Sequence, residues 1–384
     1  MGATGQGCGV TLTRRDLAWM WVLSRVALLA MAVTVVVRAD PGTLTLSQAL
    51  SHWDVQHFLA VAHGGYQVHG EEATRMAFFP GLPLLIAPFV AVGLPGEIVG
   101  LVISAVGTAV AAAALYRLGG FWAAALWLIA PAAVFGFVAY TEAPFCALAF
   151  WAWVWAREDR WAPAAVLAAG ACALRVSGLF LIGALGIMIL TWRLPAGTTL
   201  GQRLVAWARR AVWLVVPVAV MGTYIAYLYV RTGSWSAWSD AQQAGWSRAW
   251  AWPTESILRT IEVIAGPAYD DRPGWDVVFS FELVSFAVGL IAVGWLWRRR
   301  QWAEMSWIAV QLIAFSLSEW LMSVNRAVLL WFPVWVIAAE LIGRTPRSAG
   351  GKTLRRVGLA GWVVVSVGVM LWWAQMFYRS EWAS

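Results

Sequence analysis

Apolar runs of membrane-spanning length recur from one end of the chain to the other. A transmembrane helix takes about 20 apolar residues, and twelve such runs can be marked along the 384 residues. Overall, 61% of the residues are apolar and only 12% are charged, whereas soluble proteins carry about 25% charged residues. These features exclude a soluble globular domain and a disordered chain. They predict an all-α polytopic membrane protein, folded as a single transmembrane domain over residues 1–384.

Arginines between the apolar runs predict the orientation of the chain in the membrane. Positively charged flanks of transmembrane helices stay in the cytoplasm. The rule predicts a cytoplasmic N-terminus at 1–16 and further cytoplasmic segments at 193–210, 298–300 and 344–356. It places two long polar loops, 38–78 and 231–275, on the non-cytoplasmic side.

This orientation needs an odd number of crossings, which twelve runs cannot give. One run between 97 and 192 must therefore be broken or fail to span. Pro131 divides the run 119–139 and makes it the candidate, because proline cannot continue a regular helix. We predict about eleven transmembrane helices, with amphipathic helices in the two outer loops.

The net charge of +7 comes from arginines that lie between apolar runs. In that position they indicate contacts with anionic membrane lipids, and we expect no nucleic-acid partner. The three cysteines give no disulfide framework, and Cys146 and Cys172 lie in apolar runs where packing is their expected role.

Titratable side chains are concentrated in the loop 38–78. It contains all four histidines of the protein together with acidic residues: His52, Asp54, His57, His63, His69, Glu71 and Glu72. The string LSQALSHWDVQHFLAVAHGGY predicts one amphipathic helix that ends at Gly64–Gly65. Asp54 and His57 are three residues apart and share a face of that helix. A carboxylate beside an imidazole suits general-base catalysis, although the same pattern is also typical of a solvated helix face.

No pattern for a metal ion or a soluble nucleotide occurs in the chain. The histidine spacing matches no HExxH or compact zinc motif. There is no Walker A loop, no GxGxxG between a strand and a helix, and no DxD sequence. We therefore predict no cofactor and no metal site.

The string HWDVQHFLAVAHGGY, followed by AFFPGLP at 77–83, closely resembles the PIG-V family of mannosyltransferases. Three shorter strings resemble later elements of that family: YTEAPF at 140–145, LRVSGL at 174–179 and NRAVLLWFP at 325–333. From the first string to the last they span residues 52 to 333, which is most of the chain. The connecting string GYQVHGEEATRM is longer than the family pattern, so either Glu71 or Glu72 can match the family's acidic residue.

The resemblance implies a GT-C-type glycosyltransferase fold and an inverting transfer of mannose. It implies a polyprenyl-phosphate-mannose donor, a lipid-linked or protein-linked acceptor, and an active site on the outer face of the plasma membrane. Asp54 occupies the position of the catalytic base. Arg175, Arg326 and His57 are the expected ligands of the donor phosphate. The expected contacts of the acceptor or the sugar are four further residues: Glu71, Glu72, Tyr140 and Glu142.

Other interpretations of these residues stay open. Arg175 and Arg326 could be arginines that reach the membrane interface, His57 could only pack the loop, and Glu142 could cap a helix. The rival function is a polyprenyl-lipid or glycolipid transporter without transferase activity. Transporters carry polar groups near the bilayer midplane, whereas here the polar groups crowd into one loop, and this difference favours an enzyme.

Overall fold

The computed structural model of the protein describes residues 12–269, 271–272, 274–343 and 348–381. The fold of these residues is helical. Part of the N-terminal segment 1–16 and residues 344–347 of the basic loop lie outside this described part. The described residues form seventeen α-helices: α1 (Arg14–Arg38), α2 (Leu46–Leu50), α3 (Asp54–Gly64), α4 (Gly81–Ala91), α5 (Gly96–Leu128), α6 (Glu142–Arg157), α7 (Trp161–Leu174), α8 (Ser177–Leu190), α9 (Leu200–Ala211), α10 (Val215–Thr232), α11 (Ala237–Trp246), α12 (Pro253–Ala265), α13 (Trp275–Arg298), α14 (Trp302–Ser316), α15 (Val324–Ala327), α16 (Phe332–Gly343) and α17 (Ala349–Tyr378).

Several of these helices are long and apolar enough to cross a membrane. Within the described part of the chain there are five, or up to seven if two sharply bent helix pairs each count as one span. The five are α1, α5, α13, the continuous helical stretch Leu200–Thr232 and Thr353–Tyr378 of α17. The protein is therefore an all-α membrane protein, as predicted, while the number of eleven crossings stays a prediction.

The run 119–139 is broken, as Pro131 predicted. Helix α5 ends at Leu128, and residues 129–141 form turns and one short 3₁₀ helix before α6 begins. Within α5, Gly120 has a φ of 77°, so the helix is also interrupted there. The buried segment 129–141 ends at Tyr140 and Thr141, beside the first residue of α6.

The prediction of one amphipathic helix in the loop 38–78 is wrong, because two helices occur there. Helix α2 ends at Leu50, and α3 begins only at Asp54. Trp53 between them has a φ of 55°, which is a left-handed conformation that no helix interior accepts. The chain changes direction at this turn, between α2 and α3. Helix α3 ends at Gly64, as predicted.

The string FFPGLP makes a sharp bend, which agrees with its two prolines, since proline cannot continue a regular helix interior. The 3₁₀ helix Glu71–Ala77 and helix α4 meet at an angle of 116°. Gly81 begins α4 against the end of α7, since a β-carbon at Gly81 would lie 2.6 Å from the carbonyl oxygen of Ala173. The bend therefore brings Phe78 and Phe79 next to the C-terminal end of α7.

The basic segment 344–356 is shorter as a loop than predicted. Helix α17 begins at Ala349, so the second half of the segment is helical.

In the loop 231–275 two helices occur, α11 and α12, and α11 packs on the 3₁₀ helix Glu71–Ala77. The start of α3, the start of α6, the end of α7 and the short α15 meet at one end of the bundle, called here the Asp54 end.

Candidate active site

A cavity of about 430 Å³ opens at the Asp54 end of the bundle. Its polar lining includes Asp54, Thr141, Arg175, Arg248 and Arg326. Its other walls are largely apolar and aromatic, and they include Phe58, Phe78, Phe79, Leu174, Phe180, Trp238, Trp246, Ala314 and Phe315. A cavity lined by both charged groups and apolar or aromatic side chains suits an amphipathic ligand.

Asp54 is the first residue of α3, and its main chain is held by a tyrosine. The backbone N–H of Asp54 donates to the hydroxyl oxygen of Tyr140 over 3.2 Å, and Tyr140 is fully buried. The side-chain Oδ2 of Asp54 accepts from Nη1 of Arg326 at 3.0 Å. The side chain is 16% exposed and lies on the cavity wall, so a ligand in the cavity can reach the carboxylate.

Arg326 is buried and bonds two carboxylates. Besides Asp54, its Nε and Nη2 donate to Oε1 of Glu142 over 3.0 and 2.8 Å. Its guanidinium lies over the rings of Tyr140 and Phe135, at 4.7 and 4.9 Å from their centres. A buried cation of this kind is tolerated because carboxylates are paired with it. The two acids together fix the orientation of the planar guanidinium group.

Glu142 joins the second arginine to the same network. It is the first residue of α6 and is 1% exposed. Its Oε1 also accepts from Nη1 of Arg175 at 2.8 Å. Arg175 follows α7 and its Nη1 lies 3.3 Å from the hydroxyl oxygen of Thr141. The side chain of Arg175 is 21% exposed and lines the cavity, whereas Glu142 lies behind the wall.

A buried glutamate in α13 fixes the backbone that carries Arg326. The carboxylate oxygens of Glu282 accept from the backbone N–H of Ser323 at 2.8 Å and of Asn325 at 2.9 Å. Ser323 has a φ of 66°, so the turn before α15 is strained and needs this support. Sequence analysis missed Glu282, although an acid inside the apolar run 276–297, which carries only Asp276 besides it, is a signal of function in a membrane helix.

Arg248 is the second residue that sequence analysis missed. It lies between α11 and α12 and lines the same cavity as Asp54 and Arg326. Burial lowers its pKa to about 10, so it remains a cation at pH 7. Within the described part of the chain Arg248 forms no ion pair, unlike Arg175 and Arg326. The only signal in the sequence is a single Arg within the tryptophan-rich string GWSRAWAWP.

His57 lies near Asp54 but in an aromatic environment. Its ring stacks on Phe78 at 5.0 Å and meets the edge of Trp246 at 5.6 Å. Burial lowers the pKa of His57, and the charge of Asp54 opposes this shift. The described residues include no hydrogen bond between His57 and Asp54, and His57 is not on the cavity wall.

The remaining predicted residues lie away from the cavity wall. Glu71 and Glu72 are exposed on the 3₁₀ helix Glu71–Ala77, where Glu72 pairs with Arg75 at 2.9 Å. Tyr140 is buried beneath Arg326. His63 and His69 are exposed, and nowhere in the described ranges do three His, Cys, Asp or Glu side chains gather as metal ligands would.

Comparison with known proteins adds a sequence relationship. No protein-family model matches the chain. It is 35% identical over 155 residues to human GPI alpha-1,6-mannosyltransferase 2, and 34% identical over 155 residues to the rat protein of the same name. Each match covers 35% of this chain and 30% of the relative, so the similarity spans less than a third of the length of these relatives.

The architecture matches a solved structure over nearly the whole chain. The crystal structure of ArnT from Cupriavidus metallidurans bound to undecaprenyl phosphate superposes with a TM-score of 0.52 and 14% identity, covering 95% of this chain and 76% of ArnT. The chain has the GT-C fold. At this identity the likeness shows the fold alone. Together with the mannosyltransferase matches, it confirms the predicted PIG-V-like GT-C architecture.

Proposed function

We propose that this protein is a membrane mannosyltransferase that uses a polyprenyl-phosphate-linked mannose as donor. The observation that carries the proposal is the position of Asp54 on a cavity that is lined by three arginines and by many apolar and aromatic side chains. The relatives named mannosyltransferases and the GT-C fold support the reaction class. The undecaprenyl phosphate bound to ArnT supports a polyprenyl lipid as the carrier.

In the proposed reaction Asp54 acts as the general base. The acceptor hydroxyl gives its proton to a carboxylate oxygen of Asp54, and its oxygen attacks the anomeric carbon of mannose. The bond from that carbon to the phosphate oxygen breaks on the opposite face, and the polyprenyl phosphate leaves with the electron pair. Arg326 bonds Oδ2 of Asp54 at 3.0 Å, so it fixes the position of the carboxylate on the cavity wall.

The negative charge on the departing phosphate must be stabilised by a cation. The three arginines of the cavity differ in whether a carboxylate is already paired with them. Arg326 bonds both Asp54 and Glu142, and Arg175 bonds Glu142. Arg248 faces the same cavity with no carboxylate on it in the described residues. We therefore assign the developing phosphate charge mainly to Arg248, with Arg175 beside it, since charge stabilisation is strongest from preorganised donors. Arg326, Glu142 and Tyr140 hold Asp54, and His57 supports the aromatic wall.

The test is Asp54→Asn in a transfer assay with purified protein, polyprenyl-phosphate mannose and a membrane extract as acceptor source. The amide keeps an oxygen for Arg326 but cannot take the proton. General-base catalysis contributes about 10²–10⁴-fold, so the rate should fall by about that factor while thermal stability changes little. Asp40→Asn, an exposed acid in the same loop, is the matched control.

Two results would contradict the proposal. A near wild-type rate in Asp54→Asn would place the base elsewhere. Movement of polyprenyl lipid across vesicles without any glycosylated product from the wild-type protein would instead favour the transporter.

We also propose that the reaction needs no divalent metal. The leaving group is a lipid phosphate carried by the donor itself, and arginine donors can take its charge. Transfer should continue in EDTA at the wild-type rate. A loss of transfer that Mn²⁺ or Mg²⁺ restores would show that a metal, rather than the arginines, stabilises the leaving group.

A further inference from the structure

A second cavity, of about 630 Å³, lies at the end of the bundle opposite Asp54. Helix α6 runs away from the active site to Arg157, and α7 returns from Trp161 toward Arg175, so the turn between them is at the far end. The cavity lies between this turn and α9. Its lining residues are Asp159, Arg160, Trp161, Ala162, Pro163, Leu194, Ala206, Arg209, Arg210 and Trp213.

The cavity carries more positive than negative charge. The single acid in its lining, Asp159, is paired with Arg210, whose Nε and Nη2 donate to Oδ1 and Oδ2 over 2.8 Å each. The indole N–H of Trp161 donates to the same Oδ1 at 2.7 Å. Arg160 and Arg209 are exposed, and within the described residues neither forms an ion pair. Two cations thus remain at the opening, and they favour an anion with several oxygen acceptors.

The surroundings of the cavity are apolar on the side that carries α9. This helix has no buried residue, and Leu200, Leu204 and Val205 are 70%, 53% and 53% exposed. Trp213, which lines the cavity, is 42% exposed. Helix α9 forms the first part of the candidate span Leu200–Thr232, and a segment with an arginine-rich face and an exposed apolar face suits the membrane interface at the end of such a span. The occupant should therefore combine an anionic group with acyl chains.

We propose that this cavity binds the headgroup of an anionic phospholipid. The phosphate lies between Arg160 and Arg209, and the acyl chains follow the exposed apolar side chains of α9. The ion pair between Arg210 and Asp159 fixes the floor of the site. This site is independent of the proposed transferase reaction, since it lies at the other end of the bundle and uses none of the active-site residues.

The test measures lipids that stay bound to the purified full-length protein, by native mass spectrometry after titration with phosphatidylglycerol or phosphatidylcholine. Wild-type protein should retain phosphatidylglycerol in preference to phosphatidylcholine. The double variant Arg160→Gln/Arg209→Gln should bind phosphatidylglycerol about 30-fold more weakly, and Arg209→Gln alone about fivefold more weakly. The single variant keeps the test valid if the double variant does not fold.

Arg203→Gln is the matched control, because Arg203 lies on α9 and is exposed but does not line the cavity. It should bind phosphatidylglycerol like the wild type. An equal loss in Arg203→Gln would show unspecific attraction to α9 and overturn the proposal. Equal retention of both lipids by wild type would also overturn it. Inorganic phosphate should not displace the lipid; displacement by equimolar phosphate would identify a soluble-anion site instead.

Discussion

At the scale of single residues, the candidate site is a set of charges that are almost fully matched to one another. Asp54 and Glu142 are balanced by Arg326 and Arg175 through bonds of 2.8 to 3.0 Å. Arg248 faces the same cavity with a pKa lowered to about 10 by burial. A bound phosphate would give Arg248 a direct anionic partner, which it lacks among the described residues.

Arg248→Gln should therefore impair the donor step specifically. Removing one preorganised donor to a developing negative charge costs about 10²–10³ in turnover, and we expect a loss of that size in mannose transfer. Arg248→Lys should restore part of it, since the charge remains but the paired hydrogen bonds do not. Turnover with saturating polyprenyl-phosphate mannose measures both effects. The control is Arg38→Gln, because Arg38 is an exposed arginine at the same end of the bundle, and this variant should leave the rate unchanged. Unaltered turnover in Arg248→Gln would instead indicate that Arg175 and Arg326 stabilise the phosphate.

At the scale of elements, short and broken helices carry the site, and this limits what the sequence could predict. The apolar runs predicted that long helices occur, although α5 extends to Leu128 and so into the run 119–139, and Pro131 predicted the break that follows it. The break at Trp53 was missed because its left-handed turn is fixed by tertiary contacts, including the bond from Asp54 to Tyr140. Residues in recognisable strings, such as Asp54 and Arg326, could be predicted. Glu282 carried only the general signal of an acid within an apolar run, and its contact with the turn before α15 follows from the packing of α13. Arg248 could not be predicted, because only the packing of the segment after α11 brings it to the cavity.

Glu282→Gln tests whether α13 positions the short helix α15. The amide can accept from only one of the two backbone N–H groups that the carboxylate now satisfies, and leaving a buried donor unpaired costs about 1–3 kcal/mol. We expect lower thermal stability and turnover reduced about tenfold or more, with an unchanged Michaelis constant for the donor, because Glu282 does not line the cavity.

The control for that variant is Glu255→Gln, since Glu255 also accepts from a backbone N–H, that of Trp252, but is exposed at the start of α12. It should change stability and turnover little. A rise in the Michaelis constant with unchanged turnover in Glu282→Gln would indicate a direct role in donor binding rather than positioning.

At the scale of the whole molecule, the two cavities mark opposite ends of one helical bundle. The first cavity gathers α3, α7, α11 and α15, and the second lies between α9 and the turn from α6 to α7. The arginine-rich segment 193–210 lies at the end of the second cavity, so the positive-inside rule predicts that this end faces the cytoplasm. The Asp54 end would then face the other side of the membrane.

Single cysteines placed at His69 and at Ser239 test this orientation, since both positions are exposed or partly exposed in the two polar loops. With Cys8, Cys146 and Cys172 replaced by serine or alanine, each should react with a membrane-impermeant maleimide in intact cells. A third cysteine at Arg203 should react only after lysis. The reverse pattern would invert the topology and place Asp54 on the cytoplasmic side.

The bond between Asp54 and Arg326 joins positions 272 residues apart, and this distance has a consequence for biosynthesis. During synthesis Arg175 follows Glu142 closely, whereas Asp54 cannot pair with Arg326 until α15 has been made. A chain that stops before α15 therefore lacks this ion pair, and the contact between α3 and α15 forms only once the C-terminal part of the bundle is present.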